Sequence, residues 1–137
     1  MKKRSQNQIL NFLLYAGAVY FFGVALVHSM GVKIPGLYVY YNVPSYAYQD
    51  RIISFLAFGW GGLFLLTAKK MDKELIKLIV YIGMIAVIAL VLNTLVTDFK
   101  QLDPAISGSD FKWILGVLIF YWLGLVMHSR QYLFKHK

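Results

Sequence analysis

The sequence predicts an all-α fold: one integral membrane four-helix bundle with both termini on the cytoplasmic side and a long, tyrosine-rich first outer loop. Two observations carry this. Residues 12–30, 52–68, 78–96 and 113–127 are apolar runs without a single Asp, Glu, Lys or Arg. Ten of the fourteen Lys and Arg residues fall in alternate gaps between those runs. A helix rises about 1.5 Å per residue, so roughly 17–25 apolar residues cross the hydrocarbon core. The first three runs reach that length. The fourth is shorter, and Lys112 and Arg130 at its ends can extend their stems outward along it.

The chain has 137 residues, enough for a single domain spanning 1–137. Hydrophobic residues make up 59% of it, against about 45–50% in soluble domains, which could not hide the surplus. The formal charge of +8 is all on one side. Lys2, Lys3, Arg4, Lys69, Lys70, Lys73, Lys77, Arg130, Lys135 and Lys137 share the side expected to be cytoplasmic. Lys33, Arg51, Lys100 and Lys112 are balanced on the other side by Asp50, Asp98, Asp103 and Asp110. Short loops rich in Lys and Arg stay inside, so both termini are expected in the cytoplasm. The excess charge suits orientation and anionic headgroups. No basic stripe forms on a soluble face, so nucleic acid is not an expected partner. The absence of cysteine excludes disulfides, thiolate metal sites, iron–sulfur clusters and c-type haem attachment. No cofactor is expected.

The first helix is expected over 12–30, after a polar, basic start. Met1-Lys2-Lys3-Arg4 followed by an apolar run resembles a signal peptide. The run exceeds the usual 7–15 residues, however, and Val27-His28-Ser29-Met30 is a poor cleavage site, so the helix is read as retained. Gly31 ends it, and Pro35-Gly36 makes a turn. Residues 31–51 carry Tyr38, Tyr40, Tyr41, Tyr46 and Tyr48, and 37–41 suit extended structure. Such a segment fits the outer mouth of the bundle or the headgroup layer, where tyrosine is favoured.

The second helix, over 52–68, follows Pro44 and Ser45. Its small residues Ser54, Ala57 and Gly61 share a face and predict close approach to a neighbour. A tight cytoplasmic link, 69–77, leads to the third helix, over 78–96. Ala86, Ala89, Asn93 and Thr97 share one face there, which reads as bundle-facing. In the outer loop 98–112, Ser109 or Asp110 is expected to cap the fourth helix, over 113–127. Beyond Ser129, Tyr132, Leu133 and Phe134 are expected to rest on the inner membrane surface. Tyr15-Ala16-Gly17 echoes Tyr81-Ile82-Gly83, and Trp60-Gly61-Gly62 echoes Trp122-Leu123-Gly124. This faint repeat relates the halves by an axis along the membrane normal, if it reflects duplication rather than shared membrane composition.

The residues able to do chemistry gather at the outer level. His28 lies in the last turn of the first helix, on a face with Gly17, Phe21, Val24 and Ala25. Ionisable groups within a membrane are functional candidates by default. Asn93, Thr97 and Asp98 form the matching polar end of the third helix, and Asp50-Arg51 opens the second. With Tyr40 and Tyr48 above, these eight residues are the candidate ligand-binding set. In the proposed arrangement His28 meets Asp98, Asn93 and Arg51 lie close by, and residues 37–48 form a cover. Each also has a plain structural role: a histidine bonded to a carbonyl, inter-helix hydrogen bonding, or a cap and interfacial anchor. His28 and His128 sit at opposite ends of their helices, about 30 Å apart, too far to clamp one haem. No HExxH, GxSxG, GxxxxGK[ST] or GxGxxG motif occurs, and no metal site is expected.

The size, four helices with both ends inside, a long first outer loop and an Asp-Arg opening the second helix resemble small bacterial DoxX-like membrane proteins. The resemblance is architectural, covers most of the chain and assigns no functional residue. It implies a bacterial inner-membrane location. Relatives of that kind include subunits of quinone-linked oxidoreductases, which favours an accessory role. The leading expectation is therefore a non-enzymatic accessory or interaction subunit, or a binder of a lipid- or quinone-like molecule at the outer leaflet. Its partners would be the bilayer and a larger membrane complex or a second copy of itself. The alternative is a small oligomeric transporter or channel, which needs polar groups through the midplane. A third reading is a membrane enzyme using His28 with an acidic residue, which needs an acid–base pair within hydrogen-bond reach.

Overall fold

The computed structural model describes residues 2–32, 47–99 and 108–134, with side chains described from Asn7 onward and Asp110's excepted. It contains four helices: α1 (Lys2–Met30), α2 (Ala47–Lys70), α3 (Lys73–Val96) and α4 (Gly108–Leu133). All four are long and apolar enough to cross a membrane. Each apolar run lies within one helix, but the helices outrun the runs. α1 begins ten residues early, at Lys2, and α4 continues to Leu133. Charged and polar residues end a hydrophobic run without ending a helix, because the backbone bonds continue through the interface. Two expectations fail for this reason. Ser109 and Asp110 lie inside the first turn of α4 rather than at its cap. Tyr132 packs onto the bundle core instead of resting on the membrane surface.

The helix ends are built from local chemistry. Gly31 adopts the left-handed conformation, with φ 65°. Its N–H reaches the His28 carbonyl at 3.2 Å, and the Val32 N–H reaches Val27 at 3.0 Å. This is a Schellman closure, in which only glycine avoids a Cβ penalty. α2 and α3 are joined by Met71 and Asp72 alone. The Met71 N–H donates to the Thr67 carbonyl at 2.7 Å. The Asp72 carboxylate caps α3 by accepting from the Glu74 and Leu75 N–H groups at 2.9 and 3.1 Å.

The main core sits at the end of the bundle that holds this link. Leu10, Leu14 and Ala18 of α1 meet Phe64 and Ala68 of α2, Ile76 and Ile79 of α3 and Leu125 of α4. A smaller cluster, Val24, Ala25 and Ala57, joins only α1 and α2 toward the other end. Inside lipid such contacts are held by close packing rather than by escape from water. Missing side chains make that packing possible. A Cβ on Gly61 would sit 2.8 Å from the Phe22 ring, so the Ser54–Ala57–Gly61 face packs on α1. At Gly17 it would collide with Phe64 and with the Tyr121 hydroxyl. The Gly83 counterpart would meet Trp122 at 2.9 Å. Trp122 then donates from Nε1 to the Val80 carbonyl at 3.0 Å, and Tyr121 from its hydroxyl to Leu13 at 2.7 Å.

The two hairpins therefore converge at one end only. Among the described residues, α3 buries Ile76, Ile79 and Val80, all in its first turns. Of the described side chains of α4, only Leu125 and Ser129 are buried, both late in the helix. The face of α3 carrying Ala86, Ala89 and Asn93 was expected to look inward and is exposed instead. Apolar composition cannot distinguish a lipid-facing stripe from an inward one. The Ile76–Ile79–Gly83 side, which approaches the neighbouring helices, lies roughly a quarter to a third of a turn away from it.

Candidate functional site

The Schellman closure at Gly31 fixes the last turn of α1, and that turn carries His28. α2 begins at Ala47, so Asp50 falls in its first turn. The close α1–α2 packing at Val24, Ala25 and Ala57 lies just below both. His28 Nδ1 and Asp50 Oδ1 meet at 3.1 Å, with the side chains 2% and 13% exposed. His28 lies at a helix C-terminus, where the dipole favours a donor, and Asp50 at a helix N-terminus, where it favours an acceptor. A carboxylate can only accept, so Nδ1 carries the proton in this contact. The ring is thereby fixed in tautomer and orientation. This arrangement can hold two helices in register, orient a hydrogen bond toward a ligand, or move a proton.

The carboxylate that His28 meets is Asp50, not Asp98. The reason is the hairpin geometry: the start of α2 is packed against the end of α1, while α3 meets α4 at Gly83 and Trp122 and the chain beyond α3 turns back onto the start of α4. There Phe99 stacks on Phe111 with ring centroids 4.3 Å apart, and Gly108 approaches Phe99. Asp98 is exposed just past the end of α3. Thr97 turns its hydroxyl back to the Asn93 carbonyl at 2.6 Å, closing the end of α3. Asn93 is exposed. Arg51 follows Asp50 but lies on the exposed side of α2, and Tyr48 is 75% exposed. Tyr40 lies outside the described residues, as does most of the expected cover. Of the eight candidates, then, the described structure brings His28 and Asp50 into contact and leaves Arg51, Asn93, Asp98 and Tyr48 on the surface.

A second polar cluster, at the opposite end, escaped the sequence reading. Asn11 Nδ2 donates to the Ala68 carbonyl at 2.7 Å, satisfying one of the open carbonyls that end α2. Asn7 Oδ1 accepts from Gln131 Nε2 and from the Tyr132 hydroxyl. These bonds tie α1 to both α2 and α4. The available signal was the four-residue spacing of Asn7 and Asn11, which puts both on one face of α1. Thr67 and Ser129 are fully buried nearby, their hydroxyls turned back to the Leu63 and Val126 carbonyls of their own helices. Among the described residues no three His, Asp or Glu side chains group as metal ligands. No family model, no curated protein and no solved structure matches the chain, so the His28–Asp50 pair and the exposed second hairpin are what a functional reading must rest on.

Proposed function

We propose that this protein is a non-enzymatic accessory or interaction subunit of a bacterial inner membrane, crossing it four times with both termini cytoplasmic. The uneven burial of the helices carries this reading. In the most apolar stretch of each helix, 33% of the residues of α1 and 28% of those of α2 are buried, against 17% in α3 and 6% in α4. Helices with so few fully buried side chains keep broad faces for lipid or for another membrane helix. The architectural likeness to DoxX-like proteins supports the same role.

Two observations count against the alternatives. A channel or transporter needs polar groups through the midplane. The buried polar side chains described lie toward the two ends: His28 and Asp50 at one, Thr67 and Ser129 at the other. An enzyme needs a reacting group beside its acid–base pair, and the nearest hydroxyl in sequence, Ser29, donates to the Leu26 carbonyl of its own helix at 2.7 Å. One observation supports a second activity within the proposal. The buried His28–Asp50 pair stands at the outer end of apolar helices, where it suits the polar head of a lipid- or quinone-like molecule.

Purification in mild detergent, followed by native mass spectrometry of proteins and lipids, tests both. The accessory reading expects a stoichiometric polypeptide partner, whether another protein or a second copy. A preparation that is wholly monomeric, with no co-purifying polypeptide, would sink it. The outer-leaflet reading expects a bound lipid or quinone that is depleted in His28→Ala. Orientation is tested with single cysteines at Ser45 and Ser107, which should react with an impermeant thiol reagent in intact cells while one at Arg130 should not.

A further inference from the structure

Asn93 is an unusual residue for where it stands. α3 is the most apolar of the four spans, and Asn93 lies three residues before its end, about 4.5 Å along the axis. The side chain is exposed, and no described residue hydrogen-bonds its carboxamide. The neighbouring Thr94 shows the contrast: its hydroxyl is satisfied by the Leu90 carbonyl at 2.7 Å. A carboxamide facing lipid loses the hydrogen bonds that water would give it, so a partner that restores them is favoured. Ala86 and Ala89 lie on the same exposed side within two turns. Their small side chains let another helix come close enough for the amide to reach.

We propose that this face of α3 binds a second copy of the chain, with Asn93 of each copy hydrogen-bonded to Asn93 of the other. The inference rests on the accessory reading and names the partner. Two properties select a second copy over a different protein. A carboxamide carries both donors and an acceptor, so it is complementary to itself. Copies of one chain also insert with one orientation, so a two-fold axis along the membrane normal places both Asn93 residues at the same depth. A different protein would need a matching polar group at that level by coincidence.

The native chain has no cysteine, so single cysteines can be introduced without background. Ala86→Cys and Ala89→Cys should form disulfide-linked dimers in oxidised membranes. Ile88→Cys and Leu95→Cys, also exposed but toward another side of α3, should form far fewer. Resonance energy transfer between labelled copies in vesicles, diluted with lipid, then measures the association. Asn93→Val should weaken it by about three-fold to eighteen-fold, the range expected for one inter-helix hydrogen bond in a membrane. Asn93→Gln, which keeps the amide, should recover part of the loss. Thermal stability of the Asn93→Val monomer should be unchanged, which separates loss of association from misfolding. Cross-linking that is equal on all faces, or stronger at Ile88 and Leu95, would overturn the proposal. So would association unaffected by Asn93→Val. A chain that is monomeric but co-purifies with a different polypeptide would also refute the second copy while leaving the accessory reading intact. A monomer without any partner would end both.

Discussion

The two hairpins solve the same packing problem with different completeness. In each, a glycine of the first helix receives an aromatic side chain of the second: Phe64 at Gly17, Trp122 at Gly83. In α1–α2 the contact continues to the far end. Phe21 stacks on Trp60 with centroids 5.8 Å apart, Ala57 joins Val24 and Ala25, and the buried His28–Asp50 pair closes the top. In α3–α4 burial stops early, and the far end is closed by the Phe99–Phe111 stack. The described contacts close the two far ends in different ways, a buried polar pair in one and stacked rings in the other. A buried polar pair asks for a reason, either pairing specificity or ligand chemistry. Where a polar group is left outside, as at Asn93, it asks for a partner.

The sharpest way to break the contrast is to remove half of the lock. Asp50→Ala should destabilise the protein by about 3–5 kcal/mol, because it strands a buried polar partner. The doubly apolar His28→Leu/Asp50→Leu variant should recover most of that loss. Thermal unfolding in detergent measures both. If Asp50→Ala costs no more than Phe111→Ala, the lock does not distinguish the hairpins. Next come the glycines. Gly17→Ala and Gly61→Leu should each cost roughly 1–3 kcal/mol by overpacking. Gly83→Ala should fall at or below the low end, since it meets a single indole. Gly59 and Gly62 have nothing within 4 Å of a built Cβ, so alanine there should be neutral or gain up to about 1 kcal/mol from helix propensity. Among the losses, the smallest is expected for Tyr121→Phe, at about 0.5–1.5 kcal/mol for one hydrogen bond. It should loosen the attachment of α4 to α1 while leaving the α3–α4 pair intact, read as faster hydrogen exchange near Leu13 only.

Much of this architecture was legible in the sequence, because charge-free runs of spanning length admit few structures. Gly31 as a helix end followed from its freedom at positive φ, and the inward turn of His28 followed from the small residues Ala25 and Gly17, one and three turns before it on the same face. Other features were not legible. Lipid and bundle interior are equally apolar, so Ala86 and Ala89 gave no sign of facing outward. Asp50 and Asp98 flank helices at the same expected level, and only the packing of α2 on α1 decides which one meets His28. Asn7 and Asn11 lay outside the apolar runs and read as part of a polar, basic start, although their spacing already put them on one face.

The two-residue link at Met71 and Asp72 has a mechanical consequence. Two residues span at most about 7 Å, so α2 and α3 cannot slide past one another there. The Asn7–Gln131 and Tyr121–Leu13 bonds anchor α1 to α4 within the same half of the bundle. That half is a fulcrum, and relative motion of the hairpins is reduced to tilt about it. α3 has 24 residues, a lever of about 36 Å. A tilt of about 5° would therefore carry its far end roughly 3 Å, with little disturbance of the core beneath. Whatever associates with the half of this protein far from that link acts on the long arm.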